Sequence, residues 1–444
     1  MAAKALNKKN LLVLGPDRLA DLLMEVTKGR ADLQRRLRLE LSAHQGPEDV
    51  ARDIRKRYAS LRQAKGYLSR KTHRTFAKEI RSLIALIEGL APVDPALAFD
   101  LLWELLHLGP GVLDRTDDRA GLLAEVWGEA MTALSRLAPH LTLPPPTLAE
   151  TLFGALEHDA RGLFAGGVRA LAPALGPQGL AHLDGLAATA PARTGTARHH
   201  QLAAIRRDIA DAQGNVDAFV ANLSAKQLTT PAIAAEVATR LLAAHRALEA
   251  LAILQNAPAD PALVPIHVAC LEALNRTEDL KAFLWQSFRA RPDADILRRY
   301  LRLLPDFDDI EAEDEARALA RDHADRNAAL QFFLDWRDPA MAAALVLARP
   351  DALNGDDPGP LIRAADTLDS GHPLASVLLR RTVILASLRR GRPEDIRRAA
   401  DQLLACAATD APIADYGDAP DHLSFVTRLR RTHGRRRSLW TKVS

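Results

Sequence analysis

Ala244–Phe283 reads AHRALEALAILQNAPADPALVPIHVACLEALNRTEDLKAF, which holds two breaks of related form about 30 residues apart with helical patterns between them. The second break, NRTEDLKAF at Asn275–Phe283, sets a turn residue first, then acidic residues for a first helical turn, then an apolar position. GNVDAF at Gly214–Phe219 repeats that form upstream, and GRPEDIRRA at Gly391–Ala399 repeats it downstream. Between breaks the apolar residues recur every three or four positions, so the segments are amphipathic helices in pairs. Neither helix of such a pair buries its apolar stripe alone, so pairs stack on their neighbours. The expected fold class is therefore all-α: an α-solenoid of helical hairpins behind an N-terminal helical region. Tetratricopeptide-like and irregular repeats both stay open, because the tetratricopeptide Trp, Gly, Tyr and Pro positions are not present. No segment sustains the period of two that a sheet requires.

Composition agrees. Apolar residues make up 48 % and charged residues 26 %, but aromatics only 5 %, and the excess lies in Ala, Leu and Arg, which favour helices. The two cysteines, Cys270 and Cys406, both fall inside apolar helical patterns. They read as buried hydrophobes in a reducing compartment, so a cytoplasmic location is expected. The first residues carry only a short apolar run, Leu11–Leu14, before Gly15-Pro16, unlike a signal peptide, and no apolar run suggests a membrane span.

The net charge of +3 conceals an asymmetry. Residues 1–90 carry +10, residues 91–421 carry −14 and residues 422–444 carry +7. Basic ends thus flank an acidic body. The expected division is 1–90, basic N-terminal helices; 91–188, a helical domain continuing that core; 189–199, a small polar linker; 200–412, degenerate hairpin repeats; and 413–444, a basic C-terminal helix and tail. In the N-terminal region helices are expected at Gly15–Gly29, from Ala31 to about Ser42, from Pro47, and at Ser69–Leu90. DPALAFDLLWELLHL at Asp94–Leu108 is apolar nearly all round and should sit at the centre of a core, with a polar loop following from Gly109 to Asp118.

A search for chemistry finds no phosphate-binding loop, dinucleotide fingerprint, nucleophile elbow, HExxH or paired CxxC. No catalytic residue, cofactor or metal site is assigned. His199-His200 read as solvated, and His267 with Cys270 as core packing. Asp117 and Asp118 read as caps for the helix that follows rather than, with Asp114, a cation loop. The candidate contacts are basic: Arg52, Arg55, Lys56, Arg57 and Arg62 near the N-terminus, and Arg430, Arg431, Arg435, Arg436 and Arg437 near the C-terminus. Tyr58, Tyr67 and Phe76 lie among the first group and Trp440 beside the second. Cationic side chains with aromatics among them suit a polyanion or an acidic partner, and charge alone licenses only salt-sensitive contact.

LNKKNLLVLGPDRLADLLMEVTKG, RRLRLEL, GPEDVARDIRKR, DPALAFDLLWELLHLGPGVLDRTDD, LAPALGPQGLAHL and the terminal LRRTHGRRRSLW resemble an uncharacterised bacterial family of all-helical proteins, classified as a domain of unknown function. The resemblance covers about residues 6–185 and the tail. It implies a helical fold and brings no catalytic residues.

The leading expectation is a non-enzymatic scaffold or adaptor whose partner is another protein. A nucleic-acid-associated protein using the basic ends is the alternative, and an enzyme of unfamiliar type the third reading.

Overall fold

This computed structural model describes residues 7–30, 33–34, 37, 46–190 and 196–443. The chain divides into two compact units, Met1–Leu228 and Thr229–Ser444. The first contains α1 (Lys8–Leu12), α2 (Gly15–Thr27), α3 (Pro47–Gln63), α4 (Arg70–Leu90), α5 (Pro95–Leu113), α6 (Leu122–Leu137), α7 (Pro145–Glu157), α8 (Gly167–Thr189), α9 (Thr196–Ala212), α10 (Val216–Ala221) and α11 (Ala225–Leu228). The second contains α12 (Pro231–Ala243), α13 (Ala247–Gln255), α14 (Val264–Ala273), α15 (Thr277–Ala290), α16 (Ala294–Leu301), α17 (Asp308–Asp322), α18 (Arg326–Asp335), α19 (Pro339–Ala348), α20 (Pro358–Leu368), α21 (Pro373–Arg390), α22 (Pro393–Ala408), α23 (His422–His433) and α24 (Arg437–Val443). Among the described residues there is no strand, and the one β-type contact is an isolated bridge between Leu68 and Thr116. Most of the helix expected from Ala31 lies outside the described residues. The stretch 189–199, expected as a linker, falls within the first unit, and α9 begins inside it.

Helix starts follow from local chemistry. Asp94, Asp338 and Asp357 each precede a proline at the first helical position, whose missing N–H costs nothing there. The Asp94 and Asp338 carboxylates also accept the free N–H groups of Leu97 and Met341. Asp118 takes the N–H groups of Leu123 and Ala124 at 2.9 and 2.8 Å, the capping role expected of it.

In the first unit α5 is the central helix, with Leu101, Leu102, Leu105 and Leu106 inaccessible to solvent. It is longer than expected, continuing through Gly109 and Pro110 to Leu113 where a polar loop was anticipated. Pro110 sacrifices one backbone hydrogen bond. Packing at the same turn compensates, because Gly109 lets Trp127 and Leu163 come close. A Cβ at 109 would stand 2.5 Å from Trp127 Nε1 and 2.3 Å from Leu163 Cδ1. The Trp127 indole N–H donates to the Leu105 carbonyl at 3.3 Å. With this extension α5 is long and apolar enough to cross a membrane, which corrects the expectation of no such run, yet 56 % of the stretch is buried in the unit's core.

The second unit is a helical solenoid. From α12 to α22 each helix packs on the next, and several also pack on the next but one, so apolar stripes are covered mainly by sequence neighbours. The turns explain the regularity. His245, Asn275, Phe307 and Arg337 have positive φ and follow Gly214, also positive, at intervals of 30–32 residues. At 214, 245, 275 and 337 the same pair of bonds recurs. The next residue's N–H reaches back five residues, as in Arg246 to Leu241 at 2.8 Å and Asp338 to Phe333 at 2.8 Å, and the turn residue's own N–H reaches back three. This is the Schellman cap, which satisfies the last carbonyls of one helix. The residue after the turn is already the N-cap of the next helix, so one left-handed residue reverses the chain.

The C-terminal helices close the far end of this unit. Phe425, Leu429 and Leu439 pack against Val377, Ile384 and Leu403 of α21 and α22. Leu423 is 76 % exposed, because the buried stripe runs through 425 and 429, one turn apart.

Two stability tests follow from these packings. Gly109→Ala is expected to cost about 1–3 kcal/mol by overpacking against Trp127. His245→Gly, which removes a Cβ from a left-handed turn, is expected to raise stability by about 0.5–1 kcal/mol. Urea denaturation of both variants measures these shifts.

Candidate functional site

The five N-terminal cations all lie on α3, spread around it, and each faces a carboxylate of its own unit. Arg52 and Lys56 pair within α3, with Asp49 at 2.6 Å and Asp53 at 2.9 Å. Arg55 meets Glu104 of α5 at 2.9 Å, and Arg62 approaches the same carboxylate at 3.8 Å. Arg57 grips Glu79 of α4 with two bonds of 2.7 and 3.1 Å. The hydrogen bond that Arg55 donates to Glu104 holds its guanidinium above its ordinary pKa. Exposed pairs of this kind add little stability, about 0–1 kcal/mol each, but they neutralise the surface. The aromatics are withdrawn as well. Tyr58 is fully buried with its hydroxyl donating to the Leu101 carbonyl, Phe76 is buried, and Tyr67 alone of the three is exposed.

The C-terminal cations differ. Arg430, Arg431, Arg435 and Arg437 are exposed, and among the described residues no carboxylate pairs with them. Arg430 lies 5.0 Å from the Trp440 ring centroid, and the Trp440 indole N–H donates to the His433 carbonyl at 3.1 Å. Arg436 is half-buried against the Gly391 turn. The tail thus folds back through Leu439 and Trp440 and leaves its arginines outward.

A third location was not legible as a site in the sequence. Trp285, Tyr300, Phe288, Phe332 and Trp336 form a chain of ring contacts across α15, α16 and α18, with centroids 5.0–5.8 Å apart. Trp336 ends the chain. Its indole N–H donates to Glu313 at 2.8 Å, and the Arg298 guanidinium sits 5.2 Å from its ring centroid. Arg298, Asp335, Trp336 and Arg337 line a concavity of about 500 Å³. Arg337 is the left-handed residue of a repeat turn and is exposed, with no carboxylate paired to it among the described residues. Arg298 is itself paired with Asp295 at 2.8 Å, so the ring with the Arg337 guanidinium beside it is what suits an acidic side chain carried on an apolar stem. The available signal was positional: tryptophan is rare here, and Trp336-Arg337 falls at a repeat turn.

The sequence profile of the "Family of unknown function (DUF6880)" matches residues 1–196 and 185–442. The chain belongs to that family. No curated protein matches it. A solved structure described as a circular tandem repeat protein with novel repeat topology and enhanced subunit contact surfaces covers 95 % of this chain and of its own, at 15 % identity and a TM-score of 0.20. So low a score carries no argument, and the repeat assignment rests on the turns and packing of the chain itself.

Other candidates in this family member are accounted for by packing. His267 stacks on Phe283 with centroids 3.9 Å apart, and Cys270 is buried beside it, so burial pushes the thiol up to about 11. Among the described residues no group of three metal-ligating side chains converges. The polar cluster of the second unit is structural. Arg380, nearly buried, bonds Asp366 at 2.8 Å and Gln402 at 3.0 Å. Asp369 accepts from Thr409 at 2.8 Å and Ser376 at 2.9 Å. Burial pushes the Asp369 carboxyl up, but these hydroxyls and Arg380 outweigh it and hold it below the usual carboxylate range.

A carboxylate whose folded pKa is depressed contributes stability above its unfolded pKa of about 3.9, and that contribution is lost as pH falls through the folded value. Asp369→Asn is expected to destabilise by about 1 kcal/mol at pH 7, the worth of a partly exposed hydrogen-bonded pair. Thermal unfolding from pH 7 to pH 3 should show wild type and variant converging at the acid end. Parallel curves would contradict the assignment.

Proposed function

We propose that this protein is a non-enzymatic interaction scaffold that holds a segment of another protein. The observation that carries the reading is the Trp336 ring, fixed by Phe332, Glu313 and Arg298 at the mouth of a concavity whose other rim is Arg337. Such an anchor is organised before a partner arrives, which lowers the ordering cost of binding. Repeated helix pairs supply a rigid frame for it. The partner segment is acidic with an apolar residue for the indole face. The reading includes a cytoplasmic location, supported by free buried thiols at Cys270 and Cys406, and retains residues 200–412 as the repeat region. The alternative, nucleic-acid contact, would rest on Arg430, Arg431, Arg435 and Arg437, since the N-terminal cations have carboxylates of their own.

Photo-crosslinking from exposed position 340, three residues after Arg337, in the native host tests the reading. Nuclease-resistant protein adducts that disappear in Trp336→Ala and in Arg337→Glu are expected. Adducts made of nucleic acid, or protein adducts indifferent to both substitutions, would overturn it. Retention on heparin that persists above physiological ionic strength would favour the alternative.

A further inference from the structure

Two exposed helix faces of the second unit carry complementary patterns. On α17 the outward stripe begins with Phe307, its N-cap, and Ile310, which are 80 % and 61 % exposed. Asp314 and Glu315, exposed, follow seven and eight positions after Phe307. Arg317, the cation on that turn, is committed to Glu313 and Asp338. On α23 the outward face begins with Leu423, 76 % exposed, and Arg430 and Arg431 follow seven and eight positions later. In both helices that interval is two turns, about 11 Å along the axis. An apolar anchor and a charge pair thus stand at the same separation on both, with opposite sign. Isolated exposed apolar residues need no explanation, but here they are matched in register with complementary charge.

We propose that α17 of one copy docks in parallel on α23 of a second copy, Phe307 and Ile310 meeting Leu423 while Asp314 and Glu315 meet Arg430 and Arg431. A second copy is the favoured occupant because both halves of the contact stand on the same chain. Nucleic acid fits less well. The acidic face of α17 repels phosphate, and the Trp440 ring beside Arg430 is already covered by that guanidinium.

Sedimentation velocity of the full chain across concentration and salt tests this. Wild type self-associates, more strongly at low salt. Asp314→Arg with Glu315→Arg, and separately Arg430→Glu with Arg431→Glu, each weaken association about tenfold or more. An equimolar mixture of the two double variants restores it, which a folding defect in either would not allow. Phe307→Gly gives an independent readout. Glycine relieves the positive φ of 79° at this turn, so the variant melts higher while associating less. The proposal is overturned by a wild type that stays monomeric to about 100 µM at low salt, a weak limit for a specific contact. It is equally overturned if the mixture fails to associate, if Phe307→Gly leaves association unchanged, or if Arg430→Glu with Arg431→Glu abolishes DNA retention without affecting self-association.

Discussion

A single left-handed residue between consecutive helices is the constraint on which the repeat region depends. It closes one helix with two backbone bonds and makes the following residue the first cap of the next, so the chain reverses with no loop to pack. Antiparallel neighbours then face each other from their first turns, and their apolar stripes meet without slack. A left-handed residue recurs every 30–32 residues from Gly214 to Arg337, and the paired bonds accompany it at Gly, His, Asn and Arg, though not at Phe307. The backbone geometry repeats where the residue identity does not.

The cost of that economy is strain. A non-glycine residue in the left-handed region is held about 1–2 kcal/mol above an ordinary conformation, and four such residues occur among those described. Three of them obtain the paired cap bonds in return. Phe307 does not: it follows Pro305 in a separate turn, and its ring lies in solvent. Arg337 combines the turn with a place on the rim of the Trp336 concavity, so the element that sets the repeat also positions the candidate binding groups.

Charge is organised by the same packing. Clustered Lys and Arg on α3 look like a polyanion face when read along the chain, but α4 and α5 bring Glu79 and Glu104 against them. The tail lacks such neighbours, so its arginines stay open. In the second unit, buried Arg380 is bonded from α20 and α22 together, a polar tie between those helices.

The sequence by itself determined the helices, their caps, the absence of alternating patterns and the existence of a repeat, because spacing of apolar residues and capping chemistry are local properties. It placed Cys270 and Cys406 in the core for the same reason. Only the tertiary structure decided which cations are neutralised, since Arg55 and Glu104 stand 49 positions apart. Tertiary packing also extended α5 through Pro110, where contact with Trp127 outweighs a lost backbone bond, and turned Leu423 outward. Trp336 became a candidate anchor only when three separate helices closed around it, a condition no window of sequence contains.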